Sequence, residues 1–164
     1  MGHSFAKYIL EKNIPEVGLL SIGEEDTKGN EVTREVFQML KNSHINFIGN
    51  MEGKDVYRGN ADVIVCDGFI GNVVLKLTEG LSHYLLNSLK DSSKDKSIDS
   101  IENLKNIFNF ELSTILLGLN GIVLKCHGSS NYRSFKYAIK EAQSLHESSL
   151  INKINYSFNP TTQI

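Results

Sequence analysis

Residues 17–31 read VGLLSIGEEDTKGNE. The first six form an apolar run too short for a helix and long enough for a buried strand. A polar loop with two glycines follows. Val32, Val36, Met39 and Leu40 then recur at helical spacing. The same order of strand, glycine-containing loop and helix returns twice. It returns at residues 63–74, VIVCDGFIGNVV, ahead of a long helix marked by Val74, Leu77, Leu81 and Leu85. It returns again at residues 123–134, VLKCHGSSNYRS, ahead of Phe135, Ala138, Ile139, Ala142 and Leu145. INFI at 45–48 reads as one more short strand, Phe5, Ile9 and Leu10 as a short first helix, and Ile98, Ile101, Leu104 and Phe108 as a helix after the polar run DSSKDKSID at 91–99. Continuous apolar strands alternating with helices predict an α/β fold with a mostly parallel sheet covered on both faces.

Composition bounds the rest. The chain has 164 residues, enough for one domain. With Lys+Arg 17 and Asp+Glu 19 its net charge is −2, which argues against nucleic acid as the main partner. The longest apolar stretch, residues 115–124, is broken by Gly118, Asn120 and Gly121, and a spanning helix needs about 20 residues. The N-terminal apolar run is too short for a signal peptide. Ala6 stands where a myristoylation site wants Ser or Thr. Cys66 and Cys126 sit in apolar runs and read as buried, reduced thiols of a cytosolic protein. The first helix starts almost at Met1, with no capping residue ahead of it, as expected of a chain cut from a longer one. Residues 1–155 are taken as the domain and 156–164, with Pro160, as a flexible tail.

In a parallel sheet the three junctions lie together at the carboxyl edge, where open α/β sheets bind ligands. Each runs into a helix N-terminus, where unpaired N–H groups and the helix dipole favour an anion, most simply phosphate. Each also has a plainer account. Gly29-Asn30 and Gly71-Asn72 fit turn-plus-cap chemistry. Lys28, beside Glu24, Glu25 and Asp26, is either a surface ion pair or a point charge aimed at phosphate. Asp67 either caps the next turn or orients a partner. His127 is a capping residue or a catalyst at a strand's carboxyl end. Neither GxGxxG nor a P-loop occurs, no GxSxG elbow is present, and the histidines lack metal-ligand spacing.

At these same loops EVGLLSIGEEDTKGNE, INFIGNMEGKDVYRGNADVIVCDGFIGNVVLKLTEG and GLNGIVLKCHGSSN resemble the bacterial phosphate acyltransferases of phospholipid synthesis. The likeness runs over about residues 1–145 and covers only the C-terminal half of that family's chain. It implies an incomplete three-layer α/β/α sandwich akin to phosphotransacetylases and isopropylmalate dehydrogenases. It implies a cytoplasmic homodimer in peripheral contact with the inner face of the membrane, with no cofactor and no metal. The implied reaction takes fatty acyl-acyl carrier protein and inorganic phosphate to acyl phosphate, which a membrane glycerol-3-phosphate acyltransferase consumes. Carried over by matching motifs, Lys28, Asn72 and His127 would be catalytic. Glu24, Glu25, Gly29, Asn30, Asp67, Gly68, Gly71, Gly128 and Ser129 would line the site.

The sequence departs from the family pattern twice. A Gly-Gly-Ala stretch is replaced by bulkier residues at 112–115 (LSTI), and the membrane-touching hairpin, matching residues 86–110, is short and polar in its first part. There Ile98, Ile101, Leu104, Ile107 and Phe108 offer an apolar face either to the membrane or to the core. Phosphate itself would attack the thioester, so no enzyme nucleophile is needed. His127 is left with two roles, phosphate binding or protonation of the departing thiolate. Two other readings stand beside this one: a half-length inactive remnant or non-catalytic subunit needing a separate N-terminal half, and an acetyl- or butyryltransferase using a coenzyme A thioester.

Overall fold

The computed structural model describes residues 1–92, 113–128 and 130–158. In chain order these form α1 (Gly2–Tyr8), β1 (Val17–Leu20), α2 (Glu31–Lys41), β2 (Phe47–Met51), a 3-10 turn (Gly53–Asp55), β3 (Val63–Val65), α3 (Gly68–Ser92), β4 (Thr114–Ile115), β5 (Leu124–Lys125), α4 (Tyr132–Glu147) and α5 (Leu150–Phe158). The three-stranded sheet has the order β2-β1-β3, and both pairings are parallel. With α2 joining β1 to β2 and α3 following β3, this is an α/β fold and fits an incomplete α/β/α sandwich.

β1 is the central strand, so both its edges are paired. Its Val17 and Leu19 are among the most buried side chains, which is why VGLL carries no polar alternation. α2 lays Phe37 against Phe47 of β2, edge to face, with ring centroids 5.2 Å apart. A second cluster of Leu145, Leu150 and Ile154 gathers Phe5, Ile9, Ile115, Leu117, Ile122 and Leu124, and so joins α1, α4, α5 and the β4–β5 pair.

The structure corrects several expectations. β2 lies two residues later than INFI, because Ile45 and Asn46 belong to the turn that delivers Val17 N–H to the Asn46 carbonyl. α3 starts at Gly68, not near Val74, so the expected glycine loop at 68–72 is its first turn. β5 is not a strand of the parallel sheet. It pairs antiparallel with β4 in a sheet of its own, across a connection in which Leu116 N–H bonds the Val123 carbonyl. Gly118 in that connection has φ +89°, and Asn120-Gly121 is the hairpin signal that an apolar-run reading passes over. Cys66 is exposed and Cys126 half-buried, rather than both buried.

α5 reaches Phe158, so residues 156–158 of the expected tail are helical. The rest of that tail, Leu112 of the departing stretch, and the helix of Ile98, Ile101, Leu104, Ile107 and Phe108 lie outside the described residues. Among the described residues no helix is long and apolar enough to cross a membrane.

Candidate functional site

Strand order reverses beside β1: the chain leaves β1 for β2 on one side and returns to place β3 on the other. Such a reversal opens a crevice at the carboxyl ends of the strands. A cavity of about 290 Å³ lies there, lined by Leu19, Val65, Val32, Val36, Thr33, Asn30, Cys66 and Asp67. Its walls are aliphatic, and its polar groups come from the starts of two helices.

Asn30 is the N-cap of α2. Its Oδ1 accepts from the Thr33 N–H at 2.9 Å, and its carbonyl accepts from the Arg34 N–H at 3.0 Å. The N–H groups of Glu31 and Val32 have no intrahelical acceptor at this end. Gly29 makes the approach possible. It sits at φ +102°, and a Cβ there would stand 2.1 Å from Thr33 Oγ1 and 3.0 Å from Ser21 Oγ. Asp67 does the same work for α3, its Oδ1 accepting from the N–H groups of Phe69 and Ile70 at 2.9 Å each. Of the two roles open to Asp67, the structure assigns the cap. Asn72 is therefore no cap. It lies at the fifth position of α3 with an exposed side chain. Gly68 opens the helix, and Gly71 sits where a Cβ would come 3.0 Å from Cys66 Sγ. Partial burial and the neighbouring Asp67 charge raise the Cys66 thiol above its ordinary value, so it stays protonated at neutral pH.

The loop between β1 and α2 is held from outside. The Glu25 carbonyl accepts from the Lys28 N–H at 3.0 Å and from Asn50 Nδ2 at 2.8 Å. Lys54 bridges Glu52 at 2.7 Å and Glu24 at 3.3 Å, and those carboxylates raise its pKa. Lys41 holds Asp26 at 2.8 Å. Lys28 itself is exposed, its Nζ 3.9 Å from Glu25 Oε1, and it does not line the cavity. Asn50, Lys54 and Lys41 were missed by reading motifs. Asn50 did leave a signal, since a polar residue inside the apolar run INFIGNM must find a partner.

The third loop does not join the first two at the parallel sheet's edge, because β5 belongs to the other sheet. It meets α3 instead. His127 Nε2 stands 3.5 Å from Lys76 Nζ, and Lys76 also bonds Glu79 at 2.6 Å. That bond holds the Glu79 carboxyl below its usual range, with a smaller contribution from His127. Lys76 lies one helical turn beyond Asn72, on the same face. Thus Asn72 and His127 are brought to neighbouring turns of one helix, while Lys28 stays on the first loop. Gly128 is exposed in the turn after His127, where the Ser130 N–H returns to the His127 carbonyl at 3.0 Å. Ser129 lies outside the described residues.

Parallel strands that deliver two side-chain-capped helices to one crevice define an open α/β domain with its ligand site at the reversal of strand order. The chain belongs to the fatty acid synthesis protein family, whose family model matches residues 1–153. Similar curated proteins are named phosphate acyltransferase. The one from Thermodesulfovibrio yellowstonii is 40% identical over 175 residues, covering 99% of this chain and 50% of the relative. That from Pelotomaculum thermopropionicum is 44% identical over 168 residues, covering 96% and 49%. That from Halothermothrix orenii is 40% identical over 172 residues, covering 97% and 52%. The chain thus spans about half the length of the curated relatives it matches.

Proposed function

We propose that this chain carries the phosphate and oxyanion side of a phosphate acyltransferase, which converts fatty acyl-acyl carrier protein and inorganic phosphate into acyl phosphate and free carrier protein. The observation that carries the reading is the crevice at the end of β1 and β3, with the free N–H groups of α2 at its mouth. It is supported by the name of the relatives, phosphate acyltransferase.

In this reading a phosphate oxygen attacks the thioester carbonyl carbon. The carbonyl becomes an oxyanion, the C–S bond then breaks, and the thiolate takes a proton. Lys28 and the N-terminus of α2 hold phosphate, with Glu24, Glu25, Gly29 and Asn30 shaping that loop. The Asn72 side-chain amide donates to the oxyanion. Asp67, Gly68 and Gly71 fix the start of α3 against the crevice. His127, with Gly128 and Ser129 lining the site beside it, binds a phosphate oxygen or protonates the departing thiolate. The gain comes from holding two anionic partners in attack geometry and from donors aimed at developing charge. The product would feed a membrane glycerol-3-phosphate acyltransferase, which places a cytoplasmic homodimer at the inner face of the membrane.

The test is acyl phosphate formation from palmitoyl-acyl carrier protein and phosphate, by the chain alone and with a separately expressed N-terminal half of a relative. In whichever sample is active, Lys28→Ala is expected to cost about 10²–10³ in rate, as loss of one such electrostatic donor does. Wild-type turnover in Lys28→Ala would remove the assignment. The alternative reading is a non-catalytic subunit or an inactive remnant. Activity only in the mixed sample supports the subunit, and silence in both supports the remnant.

A further inference from the structure

From Leu112 to Lys140 the sequence contains no Asp or Glu, while Lys125, Arg133, Lys136 and Lys140 supply four cations, in a chain that is otherwise acidic. Three of the four lie on α4. Positions 132, 133, 136, 137 and 140 fall on one helical face, and Tyr132, Arg133, Lys136, Tyr137 and Lys140 together line a shallow groove of about 330 Å³. Tyr132 is 74% exposed and Tyr137 50%. The Arg133 guanidinium donates to the Tyr132 hydroxyl at 2.9 Å and stacks over a tyrosine ring, which stiffens both.

Elsewhere several cations have carboxylates: Lys12 with Asp62, Lys41 with Asp26, Lys54 with Glu24 and Glu52, Arg58 with Asp55, Lys76 with Glu79. Those among the described residues that have none, Lys7, Arg34 and Lys153, do not line this groove. Among the described residues no ion pair is made by Arg133, Lys136 or Lys140. A merely solvated helix face usually mixes both signs. A single-sign face carrying two exposed tyrosines and an arginine has instead the composition of a protein interface, and its charge selects an acidic partner.

We propose that this face of α4 is the docking surface for the acidic acyl carrier protein, an inference that rests on the carrier-protein reading above. The position suits it. α4 begins five residues after His127 and is capped by Asn131, whose Oδ1 accepts from the Arg133 and Ser134 N–H groups at 2.8 and 3.2 Å. A carrier protein seated there holds its phosphopantetheine arm beside the loop that meets α3 one turn from Asn72.

The test is calorimetric titration of the 164-residue chain with holo-acyl carrier protein at low and physiological salt. The wild-type chain is expected to bind, more weakly as salt rises. Arg133→Glu/Lys136→Glu/Lys140→Glu is expected to weaken binding about tenfold or more and to flatten the salt dependence. A matched reversal at Lys7, Arg34 and Lys153 is expected to change it by less than about threefold. Should the triple variant lose its cooperative melt, Lys136→Gln/Lys140→Gln, which removes charge without adding it, serves in its place. Binding that survives the α4 changes overturns the proposal and leaves the carrier-protein reading intact. Equal loss in the matched reversal also overturns it, since net charge alone would then suffice. A wild-type chain that binds no carrier protein overturns both. Patch-dependent binding to phosphatidylglycerol vesicles, with carrier binding unaffected, assigns the surface to a membrane and overturns it too.

Discussion

At the scale of single residues, the groups that set the geometry are not those that carry the motif. Asn50 is 8% exposed and spends its amide on the Glu25 carbonyl, the same oxygen that takes the Lys28 N–H. One buried amide thus fixes the turn on which the proposed phosphate lysine stands. Asn50→Ala is expected to destabilise the chain by about 1–3 kcal/mol, the cost of losing a buried hydrogen bond, and to raise amide exchange across residues 23–29 before the rest of the fold. Denaturant titration with hydrogen exchange reads both, and uniform exchange across the chain would refute the anchoring role. What was legible in the sequence divides along the same line. The Asn30 cap could be read because Gly-Asn before a helical pattern has a local cause. Asn50 required knowing that residue 50 lies opposite Leu19 in a parallel pair, a long-range fact no window contains. For Gly71-Asn72 the cap was one of two roles the sequence left open, and Asp67, five residues earlier, holds that cap instead.

At the scale of elements, β1 and β3 are only four and three residues long and are locked at their entrance by side chains. Asp62 Oδ2 accepts from the Glu16 N–H at 2.9 Å, and the Asp62 and Val63 N–H groups return to the Glu16 carbonyl. Lys12 closes the same clasp at 2.9 Å. The Lys12 hydrogen bond first, and the Glu16 N–H second, hold the Asp62 carboxyl below its ordinary range. Its folded pKa lies below its unfolded one. The clasp therefore contributes stability that is fully present above the unfolded value and is lost as pH falls through the folded one. Asp62→Asn keeps an acceptor for Glu16 and deletes the charge. The expected result is a smaller fall in the urea midpoint between neutral pH and a pH below the ordinary aspartate range, about 4. A pH dependence equal to that of the wild type would show that the ionised form contributes nothing. Elements were the level at which the sequence spoke most clearly. Apolar runs located β1 and β3, and helical spacing located α2 and α4, because each has a strong local period. β5 was assigned to the wrong sheet because a two-residue strand has no period to read, and only its pairing with Thr114 and Ile115 decides where it belongs.

At the scale of the molecule, α3 is turned the unusual way. Its inward face carries Thr78 and Ser82, 8% and 3% exposed, whose hydroxyls bond back to the carbonyls of Val74 and Thr78, while Tyr57 reaches Thr78 from the β2–β3 connection. Its outward face carries Ile70, Val73, Leu77, Leu81 and Tyr84, all exposed. Their spacing of three and four residues makes one apolar stripe. A helix that buries hydroxyls and exposes a stripe of that length asks for a partner, and the spacing suits a second helix packed at a shallow angle. The chain is therefore expected to sediment as a dimer or larger species, in keeping with the proposed homodimer. Leu77→Asp/Leu81→Asp is expected to shift it to monomer while leaving the far-ultraviolet spectrum unchanged, because neither side chain belongs to the buried set. Neither residue lines the α4 groove, so carrier-protein binding measured on the same variant tells assembly from docking. Analytical ultracentrifugation decides it. A wild-type monomer, or a variant that keeps the wild-type size, would mean that this stripe is not where the copies meet.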